Sequence, residues 1–474
     1  LKEYNKTKIL ATLGPQTATT EKIKQLVNTG INAVRLNMSH GDHNFYSSIF
    51  ENIHTARTDL NVPLAVLADL QGPKIRIGEL KNSELEIESG NTIEITIEDI
   101  LGDEKIVSTS YKNLSKEAEV GELILINDGL IRLRITEKKK DSVICEIENG
   151  GTISPRKGMN LPGMKLSTSS LTDKDFVDLE FLLSKKIDYV ALSFVRKAED
   201  ILQLKKWLEE KEKPVPVIAK IEKKEAWDNL DSILNTADGI MIARGDLGVE
   251  LSLPEVPVIQ KEIIKKCNET GKLVITATQM LESMINSKIP TRAEAADVAN
   301  AVWDGTDVVM LSGETSVGKN PVDTVKMMCE IVSNAEKHFV ANDRIKFHIP
   351  ETLEENLFDS VLKGITLVSE QIKASAIVVF TFKGRAAHGL AKYRPGAKII
   401  AVSDSFNTMN NLCLRWGVAS LFINKIDKQH AAINEAKDLI LNAGLVNKGD
   451  LVIFLSRAPF SEKGRTDWLH FEVL

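Results

Sequence analysis

The chain has 474 residues, 43% of them hydrophobic and 27% charged, with a formal net charge of −6. That length suits about three domains at ~150 residues each, with a core of ordinary size. An acidic balance argues against nucleic acid as the main partner, and no apolar run nears the ~20 residues that span a bilayer, so no membrane association is expected. The segment Leu1–Asn5 carries no apolar signal core, and Cys145, Cys267, Cys329 and Cys413 form no C-x-x-C pair. A reducing cytoplasm is therefore expected, rather than a disulfide or zinc framework. Any anionic substrate has to be met by a local cluster of Lys and Arg.

Thr7–Leu13 reads as a strand and Thr19–Val27 as the helix behind it, with Glu21, Lys22 and Lys24 on the solvent side. Strands follow at Ala33–Met38 and Leu64–Leu70, separated by a helix over Phe45–Thr58. After a long interruption the phrase returns, with strands at Tyr189–Phe194, Val215–Ile221, Gly239–Ala243, Leu273–Thr278 and Val308–Leu311. Helices are predicted at Asp173–Ser184, Ala198–Lys211, Lys224–Asn235, Val256–Thr270, Arg292–Trp303 and Pro321–His338. Continuous apolar strands indicate a parallel sheet buried on both faces. Eight such units closing on themselves make a (β/α)₈ TIM barrel; an open doubly wound sheet is the structural alternative.

The interruption, Pro73–Ser169, alternates apolar and polar residues at Leu85-Glu-Ile-Glu, Thr92-Ile-Glu-Ile-Thr-Ile and Leu130-Ile-Arg-Leu-Arg-Ile. Gly90, Gly121, Gly129 and Gly150-Gly151 punctuate it, the signature of short antiparallel strands. It reads as an inserted all-β lid. A third unit begins near Val340, with strands at Ala376–Thr381, Lys398–Val402 and Leu451–Leu455 and helices such as Phe358–Ile372 and Ala431–Ala443. The expected division is therefore 1–72 with 170–339 as the barrel, 73–169 as the lid and 340–474 as a carboxy-terminal α/β domain.

The working face of a barrel lies at the carboxyl ends of its strands. Arg35, Asn37 and Ser39 are spaced by two, so an extended chain points all three one way. Lys220 and Glu222 share that spacing at the end of Val217-Ile-Ala-Lys-Ile-Glu, where buried charges need partners. They are either a functional pair or an ion pair capping the barrel. In Ala243-Arg-Gly-Asp-Leu-Gly248, two glycines let backbone amides approach a ligand, and Asp246 can join Glu222 on a hard cation. The bland alternative for Asp246 is a solvated turn. Thr276, Thr278, Ser312 and Thr315 bring hydroxyls to two further strand ends, while Thr291-Arg-Ala-Glu294 fits a helix capping box. Gly313-Glu-Thr-Ser-Val-Gly-Lys-Asn320 nearly matches a phosphate-binding P-loop, but Asn320 replaces the hydroxyl that would hold Mg²⁺.

In order and spacing these segments resemble the pyruvate kinase family. The matching stretches are Thr7-Lys-Ile-Leu-Ala-Thr-Leu-Gly-Pro15, Val34-Arg-Leu-Asn-Met-Ser-His-Gly41, Asp69-Leu-Gln-Gly-Pro-Lys-Ile-Arg76 and Lys157-Gly-Met-Asn-Leu-Pro-Gly163. They continue with Ala219-Lys-Ile-Glu222, Ala243-Arg-Gly-Asp-Leu-Gly248, Ala277-Thr-Gln-Met-Leu-Glu282 and Met310-Leu-Ser-Gly-Glu-Thr315. Each is weak alone; eight in one order are strong. The resemblance implies a glycolytic phosphotransferase that takes phosphoenolpyruvate and ADP to pyruvate and ATP.

By the same resemblance, Mg²⁺ (or Mn²⁺) sits on Glu222 and Asp246, and Lys220 stabilises the phosphoryl group in flight. Arg35 and Arg76 hold phosphate oxygens. Amides around Gly245 and Asp246, with Thr278, hold the substrate carboxylate. Thr278, with Ser312 and Glu314, relays a proton through water to the enolate carbon. Asn37, Ser39, His40, Arg76 and Lys157 line the ADP side. Many members bind a monovalent cation at positions matching Asn37, Ser39, Asp69 and the Leu70 carbonyl. Here Lys74 brings its own ammonium, so K⁺ is not expected to be required. The family is usually a homotetramer with a sugar-phosphate or nucleotide effector in its last domain. Thr381, Lys383, Gly384 and Arg385 match that loop, but Phe382 and Ala386 replace expected polar residues, which favours a monophosphate over a bisphosphate. The rival readings are an inert phosphometabolite-binding homologue, or another phosphoenolpyruvate-using barrel enzyme without an ADP-facing lid.

Overall fold

Eight parallel strands close into a barrel in chain order: Lys8–Thr12, Ala33–Asn37, Ala65–Asp69, Tyr189–Leu192, Val217–Ile221, Gly239–Ala243, Leu273–Ala277 and Val308–Leu311. The computed structural model describes residues 4–338, 350, 352–424, 429–456 and 468–474. Leu10, Leu67, Ile218, Met241, Ile275 and Met310 fill the barrel interior, while their neighbours Ile9, Val66, Ala219, Ile242 and Val274 face the helices. A strand apolar on both faces needs cover on both, and closure with an outer ring of helices provides it. At Gly239 even a methyl group would come within 2.8 Å of Leu273 and Ile218, so the sixth strand can pass only as glycine there.

The amino-terminal end of the barrel is sealed by the carboxy-terminal domain. Cys413 and Leu414, just after the helix Phe406–Leu412, join the same apolar cluster as the barrel interior. The Tyr189 hydroxyl donates to the Asn411 carbonyl, and Leu64 N–H donates to Asn410 Oδ1 at 3.3 Å. The lid leaves after the third barrel strand and returns before the fourth. It holds a six-stranded sheet, in the order Met159–Asn160, Leu123–Ile126, Ile131–Lys138, Ser142–Asn149, Thr92–Thr96, Ile106–Ser108, and a separate pair, Gly151–Ile153 with Leu85–Ile87. Its alternating residues close over a core of their own, from Ile77 to Met164.

The carboxy-terminal sheet runs Val418–Phe422, Lys398–Ser403, Ala376–Phe380, Leu451–Ser456 and Trp468–Val473, with only the last strand antiparallel. Helices Leu353–Gln371, Arg385–Lys392 and Gln429–Asn442 accompany it. The expected boundary at Val340 falls outside the described residues. No described helix is long and apolar enough to cross a membrane, and all four cysteines are buried.

Local departures from the sequence reading have physical causes. The helix expected over Lys224–Asn235 is two, Lys224–Asp228 and Leu230–Thr236, because Asn229 leaves helical geometry and its side chain donates to the Arg196 carbonyl at 3.0 Å. Arg244–Glu250 is a short helix rather than an open glycine loop. The seventh strand stops at Ala277, and Thr278 turns left-handed at φ 68°. The capping box at Thr291 and Glu294 forms as expected. The near-P-loop is closed: Gly318 N–H donates to the Gly313 carbonyl, and a Cβ on Gly318 would strike the Glu314 carbonyl at 2.2 Å.

Candidate active site

Parallel register sets Asn37 of the second strand beside Asp69 of the third, with Arg35 beside Leu67. Arg35 Nε donates to Asp69 Oδ2 at 2.7 Å, and its Nη1 reaches Thr12 Oγ1 at 3.1 Å. From the fifth strand, Lys220 Nζ lies 3.2 Å from Asp69 Oδ1 and 2.8 Å from Glu222 Oε1, and donates to Ser193 Oγ at 2.7 Å. The Lys220 side chain is only 12% exposed, and those of Asp69 and Glu222 are 1% and 2%. Burial alone would discharge Lys220; the charges of Asp69 and Glu222 outweigh it and hold the ammonium well above its ordinary pKa. Asp69 answers in kind. Burial pushes its carboxyl up, but Lys220 and Arg35 together hold it below the usual range.

Glu222 also accepts the Phe194 N–H at 2.8 Å, from a residue at φ 55°. Across from it, Asp246 stands in the first turn of Arg244–Glu250. Its pKa is pushed up to about 6, first by burial and then by the charge of Glu222, against the pull of Lys220 and Lys74. Buried Glu222 and half-buried Asp246 bring two carboxylates to one place, a donor set that suits a hard cation. Among the described residues no group of three or more His, Cys, Asp or Glu could hold a metal. A pair of carboxylates matches what an ion such as Mg²⁺ takes from a protein, its shell being completed by substrate and water.

Thr278 is held by its surroundings. Its hydroxyl accepts the Gly245 N–H at 2.8 Å and donates to the Ala277 carbonyl at 2.6 Å. Arg244, anchored on Asp297 at 2.7 Å, donates to the Thr278 carbonyl at 2.6 Å. A β-branched residue at positive φ costs ~1–3 kcal/mol and persists only where neighbours fix it, as these do. Next to it, fully buried Glu314 accepts the Ser312 N–H at 2.7 Å and the Leu281 N–H at 3.1 Å. The Ser312 hydroxyl is buried with no hydrogen-bond partner.

Between the barrel mouth and the lid lies a cleft of about 240 Å³ whose walls include Lys74, Arg76, Arg156, Lys157, Arg196 and Asp246. Arg76 is held by its N–H to Ser110 Oγ at 2.9 Å and by Nη1 to the Arg156 carbonyl at 3.0 Å. On the barrel rim, Ser39 lies beyond the strand end in a turn, its N–H on Asn37 Oδ1 at 3.2 Å. The side chains of Arg35 and Asn37 share a face as expected, and Ser39 reaches the rim through the turn. The Leu70 carbonyl accepts the Ser193 hydroxyl at 2.7 Å. Exposed Lys74 projects a charge felt at both Asp246 and His40.

The structure thus gathers Arg35, Lys220, Glu222 and Asp246 at the mouth, with Arg76 and Lys157 across the cleft. Thr381–Arg385 stands apart in the carboxy-terminal domain, where the Gly384 N–H donates to Thr381 Oγ1 at 2.9 Å and Arg385 lies over Phe358. Sequence reasoning passed over Ser193, Phe194, Thr12 and the Arg244–Asp297 pair. Ser193 follows the fourth strand directly, a place where a lone serine carries little signal by itself.

Residues 4–325 match the family "Pyruvate kinase, barrel domain", and residues 359–471 match "Pyruvate kinase, alpha/beta domain". The chain belongs to the pyruvate kinase family. It is an enzyme, a phosphotransferase that carries a phosphoryl group from phosphoenolpyruvate to ADP and yields pyruvate and ATP. Among its relatives are pyruvate kinases of Clostridium acetobutylicum, 40% identical with 99% of both chains covered, and of Geobacillus stearothermophilus, 40% identical over 99% of this chain and 80% of the other. A crystal structure of a pyruvate kinase from Cryptosporidium parvum superposes with a TM-score of 0.92 at 34% identity, covering 99% of this chain and 96% of that one.

The field at the rim of this pyruvate kinase is testable through His40. Desolvation first, then the charges of Lys74, Arg76 and Arg35, push its imidazole below the usual value, so it is neutral at pH 7. Removing a nearby positive charge favours the imidazolium. The NMR titration midpoint of His40, assigned by its loss in His40→Gln, is expected to rise in Lys74→Glu. A midpoint that stays put or falls shows that Lys74 does not act on this face.

Proposed function

We propose that Lys220 stabilises the phosphoryl group as it moves between phosphoenolpyruvate and ADP. The observation that carries this reading is an ammonium buried at the barrel mouth and kept charged by two carboxylates. Catalysis of this transfer is mostly positioning and electrostatics, so a fixed charge there acts chiefly in the transition state. Arg35 and Arg76 hold the phosphate oxygens, for which a planar guanidinium is suited. The Gly245 and Asp246 amides receive the substrate carboxylate, and Thr278 shares the Gly245 N–H with it. Glu222 and Asp246 hold Mg²⁺, or Mn²⁺ in its place, which supplies charge neutralisation beside the transferring group.

After transfer the enolate carbon takes a proton. Thr278 hands it on from a water held at Ser312, whose hydroxyl is otherwise unpaired. Glu314 fixes that turn by accepting two backbone N–H groups. Asn37, Ser39, His40, Arg76 and Lys157 meet ADP across the cleft. Lys220→Ala is expected to keep its fold and Mg²⁺ affinity but lose more than tenfold in turnover, a loss above ~1.4 kcal/mol. A coupled pyruvate assay retaining more than a tenth of wild-type turnover would falsify the role.

Turnover without K⁺ belongs to the same reading. Lys74 sits two residues before Arg76, and its charge already lowers the cost of ionising Asp246. At ~4 Å and an effective dielectric near ~20, a unit charge is worth ~4 kcal/mol, enough to replace a weakly bound cation. The Leu70 carbonyl and Asn37 Oδ1, two of the cation positions, each accept one internal hydrogen bond. In buffer whose only monovalent cation is a bulky organic one, wild type is expected to retain most of its activity. Lys74→Glu is expected to need added K⁺; a wild type that needs it sinks the idea.

For the carboxy-terminal loop we infer a site for one phosphate group, built on Lys383, Arg385 and the turn at Thr381 and Gly384. The support is loss of hydroxyls at Phe382 and Ala386 and burial of Ala386. A sugar monophosphate is then expected to activate, with Arg385→Ala abolishing the response. Strong activation by a sugar bisphosphate, lost in that variant, would count against the reading.

A further inference from the structure

Beside the barrel mouth stand two further buried charges that take no part in holding Lys220. Lys223 is 7% exposed and Glu250 8%, and Lys223 Nζ donates to Glu250 Oε1. Glu250 Oε2 is buried with no hydrogen-bond partner, and Asn160 of the lid faces the same carboxylate. An ion pair taken out of water is weak evidence for stability, because a well-packed apolar pair in its place is often as stable or more so. What such a pair does supply is a directed contact between the two elements that carry it.

Each of those elements carries one of the two metal-site carboxylates. Lys223 directly follows Glu222 in the turn after the fifth strand. Its ammonium also lies over the ring of Phe194, 6.0 Å from the centroid, and the Phe194 N–H donates to Glu222 Oε2 at 2.8 Å. Glu250 ends the helix Arg244–Glu250, four residues after Asp246, and residues four apart share a helix face. At seven residues that helix is too short to be stable alone, so its anchors set its position. At its start Arg244 is fixed by Asp297 and the Thr278 carbonyl. Leu247 is buried in the core, and at the far end Glu250 is fixed by Lys223.

We propose that Lys223 and Glu250 are positioning residues for the divalent cation: their ion pair locks the turn bearing Glu222 to the helix bearing Asp246, and so sets the separation of the two carboxylates. The inference rests on Glu222 and Asp246 holding Mg²⁺, as proposed above. Without the pair both carboxylates keep their charge but lose their fixed spacing. A cation that demands near-ideal octahedral geometry is then bound less tightly. Charge and placement predict opposite signs here. Lys223 is a cation next to the site, so by charge alone its loss tightens binding of a metal ion, whereas by placement its loss weakens it.

Titration of the full chain with Mn²⁺, without substrates, reads that sign through the electron paramagnetic resonance signal of the free ion. Lys223→Met is expected to raise the Mn²⁺ dissociation constant by ~tenfold or more, the usual loss when a partner behind metal ligands is removed. Combining Lys223→Met with Glu250→Leu replaces the pair by apolar side chains and leaves the net charge unchanged. That double variant is expected to melt near wild type and yet to bind Mn²⁺ as weakly as the single one, so it carries the test if Lys223→Met alone does not fold. Unchanged or tighter binding in either folded variant overturns the proposal. Glu222→Gln separates the two layers of the argument. Mn²⁺ binding is expected to be lost there; if it is retained, the placing of the metal is wrong. Loss in Glu222→Gln with wild-type affinity in the Lys223 variants overturns the positioning role alone.

Discussion

The ammonium of Lys220 is wedged between Asp69 and Glu222 with little access to water, and the barrel mouth is organised around keeping it there. Removing a charge from water is expensive unless its partners are well placed. Here the partners come from different strands, so the barrel's register sets the spacing. Asp69 is shared with Arg35, Glu222 with the Phe194 amide, and Ser193 bridges Lys220 to the Leu70 carbonyl. Each carboxylate is thus fixed by at least two groups before any substrate arrives. That is preorganisation in the physical sense: the cost of orienting the charges is met in folding rather than in each turnover.

The same constraint explains how an acidic chain handles anionic substrates. The net charge is −6, yet Lys74, Arg76, Arg156, Lys157 and Arg196 converge on one cleft. Several come from the inserted domain and its connections, so the positive wall is assembled only when lid and barrel face one another. The backbone connection is itself constrained. Gly72 lies at φ 65° with its N–H on Asp175 Oδ1, and Arg76 pairs with Gly158 across the base of the lid.

Much of this was legible in the sequence because burial leaves a plain trace. Ala65-Val-Leu-Ala-Asp, apolar until its last residue, marks a strand covered on both sides with chemistry at its end. Lys220 and Glu222 stood out because two charges closing an apolar strand need a reason. Alternation in Thr92–Thr96 and Ile131–Lys138 marked the lid equally well. What stayed hidden was backbone geometry set by distant contacts. The left-handed turn at Thr278 depends on Arg244 and Gly245, some thirty residues away, and a threonine gives no local hint of it. Likewise Asn229 breaks a helix because the Arg196 carbonyl is within reach, and Ser193 matters because Lys220 points at it. A lone serine after an apolar run is too common to single out.

The plug formed by Cys413 and Leu414 bears on how the chain is made. Ribosomes deliver the eighth barrel strand, ending at Leu311, about a hundred residues before Leu414. At ~5–20 residues per second the nascent barrel waits roughly 5–20 s with an open, oily floor. Leu10, Ala33, Ala65 and Leu273 belong to the apolar cluster that Cys413 and Leu414 complete. The order of synthesis therefore makes the floor of the barrel, rather than its catalytic mouth, the surface that chaperones must shield.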